Sequence, residues 1–527
     1  MSQEPHPSSR QAGTSLLGRF ATVGGLTLLS RLSGFGRDIV LAAVLGAGPV
    51  ADAFFVALRL PNHFRAIFAE GAFNSAFIPA YARVRTQDGD AAAGVFADRI
   101  FTLLFLTQLV LLALALTFTP EVIRLLAPGF VDDPARFDLA VDLTRITFPY
   151  LLLITLVTLY GGMLNALNRF AAAASAPILL NLSLIVALSF AAFFPTAGHA
   201  AAWGVLGAGV LEVLLLGGAA MRAGVLAQFR RPRLDAAVRR FFRALGPATL
   251  GSAGVQIALF ADTIIATFLS AGAISALYYA DRLNQLPIGV IGIAAGTVLL
   301  PEMARRIAGG DEVGARHAQN RAIELALLLS LPCMVAFLMV PDLIMRALFA
   351  RGAFTSADAS AAGQTLAAYA LGLIPFVLIR SMTATFLGRG DTATPVKAAL
   401  TAVAVNVAFK VLLMGALAQV GLALATSIGA WVNLLLVTAL AWRAGYFALD
   451  ADLRQSLLRL AVATAALAVG LWLAAPVVSV WIDGSVHFRD ELRLLVLGLL
   501  GAVVYGSAVA LLMGRRWLAL LRRPGRS

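Results

Sequence analysis

Between Ser30 and Tyr81, four arginines stand inside what is otherwise membrane-type text: Arg31, Arg37, Arg59 and Arg65. Asp38, Asp52 and Glu70 accompany them. A charge at the centre of a membrane helix costs roughly 2.5–3.5 kcal/mol on insertion scales. Four arginines would cost on the order of 10 kcal/mol, comparable to a whole protein's net stability. That cost calls for a compensating purpose. Arginine presents a planar fork of donors suited to phosphate or carboxylate. Several of them converging in a low-dielectric, water-filled cavity would recognise a di-anion or a pyrophosphate. The plainer alternative is internal salt bridging. For Asp52, Arg59 and Glu70, located towards helix ends, the two readings weigh the same. For Arg31, Arg37, Arg65 and Arg282 the cations outnumber the nearest acids, and anion binding is the better reading.

Helical spacing sets which of these groups can meet. Arg31 and Asp38 are seven apart and share a face, whereas Arg37 lies about 120° away unless Ser33-Gly34-Phe35-Gly36 bends or unwinds the helix. Asp52, Arg59 and Glu70 share a face of the second helix. Pro61 is expected to kink it, leaving Arg65 on the second half. Asp281 and Arg282 are neighbours further on, Pro287 suggests a break after them, and Asp262 and Arg380 are additional charges within spans. No catalytic arrangement stands out. The five histidines are scattered without metal-ligand spacing, and no G-x4-G-K-[ST] loop for ATP is present. Gly292-x3-Gly296 reads as close helix packing.

The elements that must position these charges are membrane helices. The 527 residues are 60% hydrophobic and only 13% charged, about half the charge of a typical soluble domain. Windows of roughly 20 apolar residues fall near 16–45, 50–81, 100–119, 139–165, 171–194, 199–221, 244–269, 273–301, 321–349, 361–387, 395–415, 420–442, 456–480 and 492–514. The expected fold is an all-α polytopic membrane protein of about fourteen helices. Residues 1–15 read as a polar, disordered tail, 16–221 as a first lobe, and 222–243 as a basic linker. A second lobe follows over 244–445, then two further helices over 446–514 and a basic tail over 515–527. The single Cys333 excludes a disulfide framework and reads as a small buried hydrophobe.

Arginines concentrate in alternate connections, after helices 2, 6, 8, 10 and 12 and in the tail, which places both termini in the cytoplasm. The arginine-rich 222–243 segment could meet anionic head groups, although a topology determinant is the simpler reading. Nothing resembles a nucleic-acid module. Shifting the chain by about 223 residues overlays A-F-F-V-A-L-R-L (53–60) on A-L-Y-Y-A-D-R-L (276–283), which places Arg59 on Arg282. Six helices separate the copies, so the lobes form a parallel repeat around a central cavity.

The motifs S-R-L-S-G-F-G-R-D, G-A-G-x3-D-A-F, L-P-N-x-x-R, F-A-E-G-A-F-x-x-A-F-x-P, I-T-F-P-Y and Y-Y-A-D-R-L resemble those of the MurJ (MviN) family. These are lipid II flippases of the multidrug/oligosaccharidyl-lipid/polysaccharide exporter superfamily. The resemblance spans about residues 15–515. It implies two six-helix lobes, a groove at helices 13 and 14 for the lipid tail, and a non-enzymatic transporter in a bacterial inner membrane. The implied cargo is the undecaprenyl-pyrophosphate-linked peptidoglycan precursor, and other cell-wall synthesis proteins are the implied partners. The substrate-binding candidates are Arg31, Arg37, Arg65 and Arg282. The cavity and gating candidates are Ser30, Asp38, Asp52, Arg59, Asn62, Glu70 and Asp281. Gln285 departs from the acid that some relatives carry in R-L-x-E-x-P. No organic cofactor is expected, and sodium or the membrane potential is the expected driving force. Asp262 and Asp391 are the candidate cation ligands, and Asp391 equally reads as a helix N-cap. An exporter of polysaccharide-lipids or drugs in the same superfamily is the nearer alternative, and an integral-membrane glycosyltransferase or ligase the more distant one.

Overall fold

The computed structural model describes residues 9–65, 71–482 and 488–514. The expected basic tail over 515–527, Glu70, and the side chain of Arg65 lie outside the described residues. The described chain is helical and forms two units, residues 1–268 and 269–527.

The first unit holds α1 (Ser9–Leu45), α2 (Pro49–Arg65), α3 (Gly71–Thr117), α4 (Thr119–Leu126), α5 (Pro134–Thr147), α6 (Pro149–Ala166), α7 (Ala171–Ser189), α8 (Ala197–Arg222) and α9 (Ala236–Thr267). The second holds α10 (Ala273–Pro287), a π-helical turn (Ile288–Gly292), α11 (Ile293–Ala308), α12 (Glu312–Met339), α13 (Pro341–Phe349), α14 (Ser356–Ala370), α15 (Leu373–Leu387), α16 (Ala393–Arg443), α17 (Ala451–Trp481) and α18 (Arg489–Met513). Local chemistry sets many of these ends. Pro134, Pro149 and Pro341 occupy first turns, where the missing N–H costs nothing. Asp133, Thr196, Asp235, Thr355 and Asp450 cap N-termini with side-chain oxygens.

Among the described residues, nine helices or helix pairs are long and apolar enough to cross a membrane. That number understates the crossings. The 51 residues of α16 would run about 75 Å, roughly twice a bilayer. The helix breaks at Ala418, whose φ of +45° is the left-handed region. Its halves match the windows 395–415 and 420–442. α3 breaks likewise at Gly89 (φ +86°), a conformation that glycine adopts without penalty.

The structure corrects three boundaries. Residues 9–15, expected to be disordered, already belong to α1. The basic linker is shorter than expected, because α9 begins at Ala236. It is also held in place: Asp98 accepts from the Gln228 amide at 2.8 Å, Thr102 from the Arg230 amide at 3.0 Å, and Arg99 pairs with Asp235. Phe229 packs against Phe101 and Phe105 with centroids 5.0 and 5.1 Å away. Finally, α9 was expected to open the second lobe but packs in the first unit. Phe241 sits edge-on to Phe73, Phe77 and Phe96 on α3, and such aromatic pairs favour association beyond their buried area.

The repeat is visible in the element order. Gly71, Thr119, Pro134 and Ala171 open helices in the first unit. Ile293, Pro341, Ser356 and Ala393, each 222 residues later, open helices in the second. In each unit the helix that precedes the matched set packs alike, α2 on α5 and α10 on α14. α17 and α18, outside the repeat, form a hairpin fixed at both ends. Near the start of α17, Ser456 and Arg321 both bind the buried Glu324 of α12, and Arg321 also reaches Asp450 at 3.1 Å. At the start of α18, Asp490 and Glu491 pair with Arg346 (3.5 Å) and Arg351 (3.0 Å) beside α13. An apolar cleft of about 460 Å³ lies between α12 and α17, lined by Leu327, Leu331, Leu457, Leu460 and Thr464.

Candidate functional site

α1 runs unbroken through Ser33-Gly34-Phe35-Gly36, so the bend that would bring Arg37 onto the face of Arg31 and Asp38 is absent. Arg31 and Arg37 consequently face different surroundings. Arg37 donates from Nε (3.0 Å) and Nη2 (2.7 Å) to Asp38 Oδ1, and from Nη1 to Asn181 Oδ1 at 3.0 Å. Asn181, on α7, donates in turn to the Ser30 carbonyl at 3.1 Å and to the Ser33 hydroxyl at 2.9 Å. The close approach uses Gly34, where a Cβ would lie 3.4 Å from Asn181 Nδ2. Arg37, expected to bind substrate, is thus neutralised by its neighbour and clamped to α7. Arg31 is exposed and makes no hydrogen bond or ion pair among the described residues.

Asn181 is the hinge of this network. Asn181→Leu keeps the branched side-chain shape but leaves the Arg37 Nη1 donor and two serine groups short of a partner. It is expected to destabilise the protein by about 1–3 kcal/mol. A thermal-unfolding midpoint unchanged from wild type would show that the network does not hold α1.

The second helix divides its charges differently. Asp52, expected to gate a cavity, is fully buried, and Arg136 of α5 donates to its Oδ2 at 2.6 Å. The guanidinium also lies 3.9 Å from the centroid of the Phe130 ring. This pair is structural, because both partners are sealed from any ligand. Arg59 donates to Thr263 Oγ1 of α9 at 3.3 Å. Beside it, Asn62 is half-buried and His63 stacks on Phe260 with centroids 4.5 Å apart. α2 and α9 therefore touch through the residues expected to line a cavity.

In the second unit, Arg282 is exposed and its guanidinium lies 4.9 Å from the Tyr278 ring centroid. Asp281 accepts from Gln285 Nε2 at 2.6 Å. Gln285, where the family resemblance implies an acid, therefore serves as a donor to the acid one turn before it. Arg380 of α15 is exposed and, among the described residues, unpaired. It crosses the π-helical turn at Gly292, where a Cβ would sit 3.1 Å from Arg380 Cδ.

Of the two candidate cation ligands, Asp262 is half-buried on α9. Asp391 precedes α16 and accepts from the amides of Ala393 and Thr394, each at 3.0 Å. The Thr394 amide, with its side chain and Ala393, holds the Asp391 carboxyl below the usual carboxylate range. The N-cap reading describes this residue. Among the described residues, no group of three His, Cys, Asp or Glu is arranged to hold a metal.

Sequence reasoning missed several groups. Arg136 lies three residues before the window that begins at 139. Asn181 is a lone amide in an apolar helix, and buried polar groups of that kind are usually bonded. Lys410, 3% exposed on α16, is a single charge that an apolar window absorbs. Cys333 proves half-buried.

A family model described as lipid II flippase MurJ matches residues 41–489. A probable lipid II flippase MurJ of Rhizobium meliloti (strain 1021) is 43% identical over 520 residues, covering 97% of this chain and 96% of that protein. A lipid II flippase MurJ of Burkholderia cenocepacia is 34% identical over 430 residues, covering 79% and 82%. Among solved structures, a lipid II flippase MurJ in an inward closed conformation superposes with a TM-score of 0.78 at 23% identity, over 94% of this chain and 99% of that one. An inward-facing multidrug resistance MATE family transporter of the MOP superfamily gives 0.65 at 16% identity, over 80% and 97%. At these identities the structural likenesses establish the fold.

Proposed function

Since the chain belongs to the lipid II flippase MurJ family, we propose that it carries lipid II across the membrane by alternating access. Lipid II flipping itself is the function of the protein, a multi-pass membrane transporter. We read it as non-enzymatic, resident in a bacterial inner membrane, with both termini cytoplasmic.

The observation that carries the mechanism is Arg31: an exposed guanidinium on α1 with no hydrogen bond or ion pair among the described residues. A pyrophosphate offers oxygens that match that fork of donors, and each charge-assisted bond is stronger than a neutral one. Arg282 supplies a second exposed guanidinium. Arg37 and Asp38 form a resident ion pair that an incoming di-anion can open, because the substrate competes with Asp38 for the same donors. Such exchange couples binding to a change of state. The apolar tail has no need to cross the polar path. We place it along α17 and α18, whose attachment at both ends keeps that wall in position. An exporter of cationic drugs would be better served by exposed acids than by these arginines.

Depleting the protein in its native host is expected to accumulate lipid II in the inner leaflet. Accumulation in the outer leaflet would overturn the reading.

A further inference from the structure

Arg380 is the one charged residue between Asp358 and Arg389, inside the span that α14 and α15 form over Ser356–Leu387. It is exposed and makes no hydrogen bond or ion pair among the described residues. The acids on the elements packed against α15 are engaged with other groups. Glu302 of α11 pairs with arginines of its own helix, Glu312 of α12 with Arg389, and Glu324 with Arg321. Asp358 closes the capping box of α14, and α16 carries no acid. A guanidinium left in a span without a resident counterion marks a functional position.

The side chain lies against the π-helical turn. A Cβ on Gly292 would sit 3.1 Å from Arg380 Cδ and 3.2 Å from Nε, so the missing side chain leaves the room that Arg380 takes. π-turns within helices are frequent at functional sites. Arg282 stands ten residues before Gly292. Its guanidinium turns the other way, over the ring of Tyr278 one turn nearer the start of α10. At 1.5 Å per residue, the two guanidiniums are therefore about 15–20 Å apart along α10 and the turn.

The phosphates of a pyrophosphate share one bridging oxygen, so a single pyrophosphate cannot reach both arginines. Lipid II carries a second set of anions, the carboxylates of its peptide, which the sugars hold away from the pyrophosphate. A peptide of about five residues spans about 17 Å when extended, the right reach for the gap. The fork of an arginine matches a carboxylate as well as a phosphate. We propose that Arg380 is a specificity residue, receiving a carboxylate of the lipid II peptide while Arg282 receives the pyrophosphate. The protein thereby selects the peptide-bearing precursor over a lipid carrying sugars alone.

This inference rests on the flippase reading, and its test separates the two. Purified full-length protein in lipid nanodiscs is titrated with lipid II and with the same lipid-linked disaccharide stripped of its peptide. Wild type is expected to bind lipid II about tenfold or more tightly than the peptide-free lipid. Arg380→Gln is expected to lose that preference while binding the peptide-free lipid within about twofold of wild type. Arg282→Ala weakens both lipids alike. Gly292→Leu, whose side chain would displace Arg380, is expected to behave as Arg380→Gln does, and it decides the question should Arg380→Gln be lost from the membrane. Equal binding of the two lipids by wild type, or a peptide preference that survives in Arg380→Gln, overturns the inference. So does an equal loss for both lipids in Arg380→Gln, which would put the pyrophosphate at Arg380. Lipid II accumulating outside on depletion would instead refute the flippase reading, with the binding preference still deciding the role of Arg380.

Discussion

Asp52→Ala is expected to remove folded protein from the membrane, at a cost of about 3–5 kcal/mol. The reason is the partner left behind. Arg136 is 5% exposed and spends a guanidinium donor on Asp52 Oδ2 at 2.6 Å. Without the carboxylate, the buried charge of Arg136 loses its ion-pair partner beside the Phe130 ring. Losing most of a typical 5–15 kcal/mol stability would show as a steep fall in membrane abundance and in the thermal-unfolding midpoint. The double replacement Asp52→Leu with Arg136→Met removes both charges and is expected to recover most of the loss, as happens when buried ion pairs are exchanged for packed apolar groups. If Asp52→Ala folds normally and loses only transport, the pair is a gate and the structural assignment is wrong.

Arg31→Ala and Arg282→Ala are expected to give the opposite pattern: normal abundance with transport lost. Both guanidiniums are exposed, so truncation leaves no buried charge uncompensated and costs little stability. What disappears is a charge-assisted contact to the pyrophosphate, worth about 1.5–3 kcal/mol. This corresponds to roughly a 10- to 150-fold loss in lipid II affinity for each replacement. Lysine in place of Arg31 keeps the charge but not the fork and is expected to recover only part of it. Lipid II binding to purified protein and complementation of a depleted host measure the two halves. Normal cell-wall synthesis with both alanine variants would end the anion-binding account.

The helices were legible because twenty apolar residues in a row have few other uses, and their ends because proline, aspartate and glycine act locally. The charges divided along a different line. Whether an arginine in a span binds a ligand or a neighbour depends on what stands across from it, and that is a tertiary fact. Arg31 and Arg37 look equivalent as text, yet Asn181, 144 residues beyond Arg37, settles that one is clamped and the other exposed. For Asp52 the two readings weighed the same, because its partner Arg136 falls in a stretch too polar to count as a span. α9 shows the same limit. Topological counting puts it with the second copy, while the rings around Phe241 hold it to the first. Lys410 went unnoticed because one charge barely lowers the mean of an apolar window.

The 222-residue recurrence of helix starts allows the molecule to be compared with itself. Position 136 in the first copy corresponds to Asp358 in the second, where the carboxylate closes a capping box with Thr355. In the overlay that pairs Arg59 with Arg282, Asp52 corresponds to Ser275, a fully buried neutral residue. By the 222-residue recurrence of helix starts, Lys410 corresponds to Leu188, also buried. One backbone plan therefore tolerates an ion pair at a given slot in one half and none in the other. Chemistry confined to one half therefore either holds that half alone, as Asp52 and Arg136 do, or serves a substrate that has no such symmetry. A chimera carrying two identical halves should consequently fold and insert, yet fail to transport.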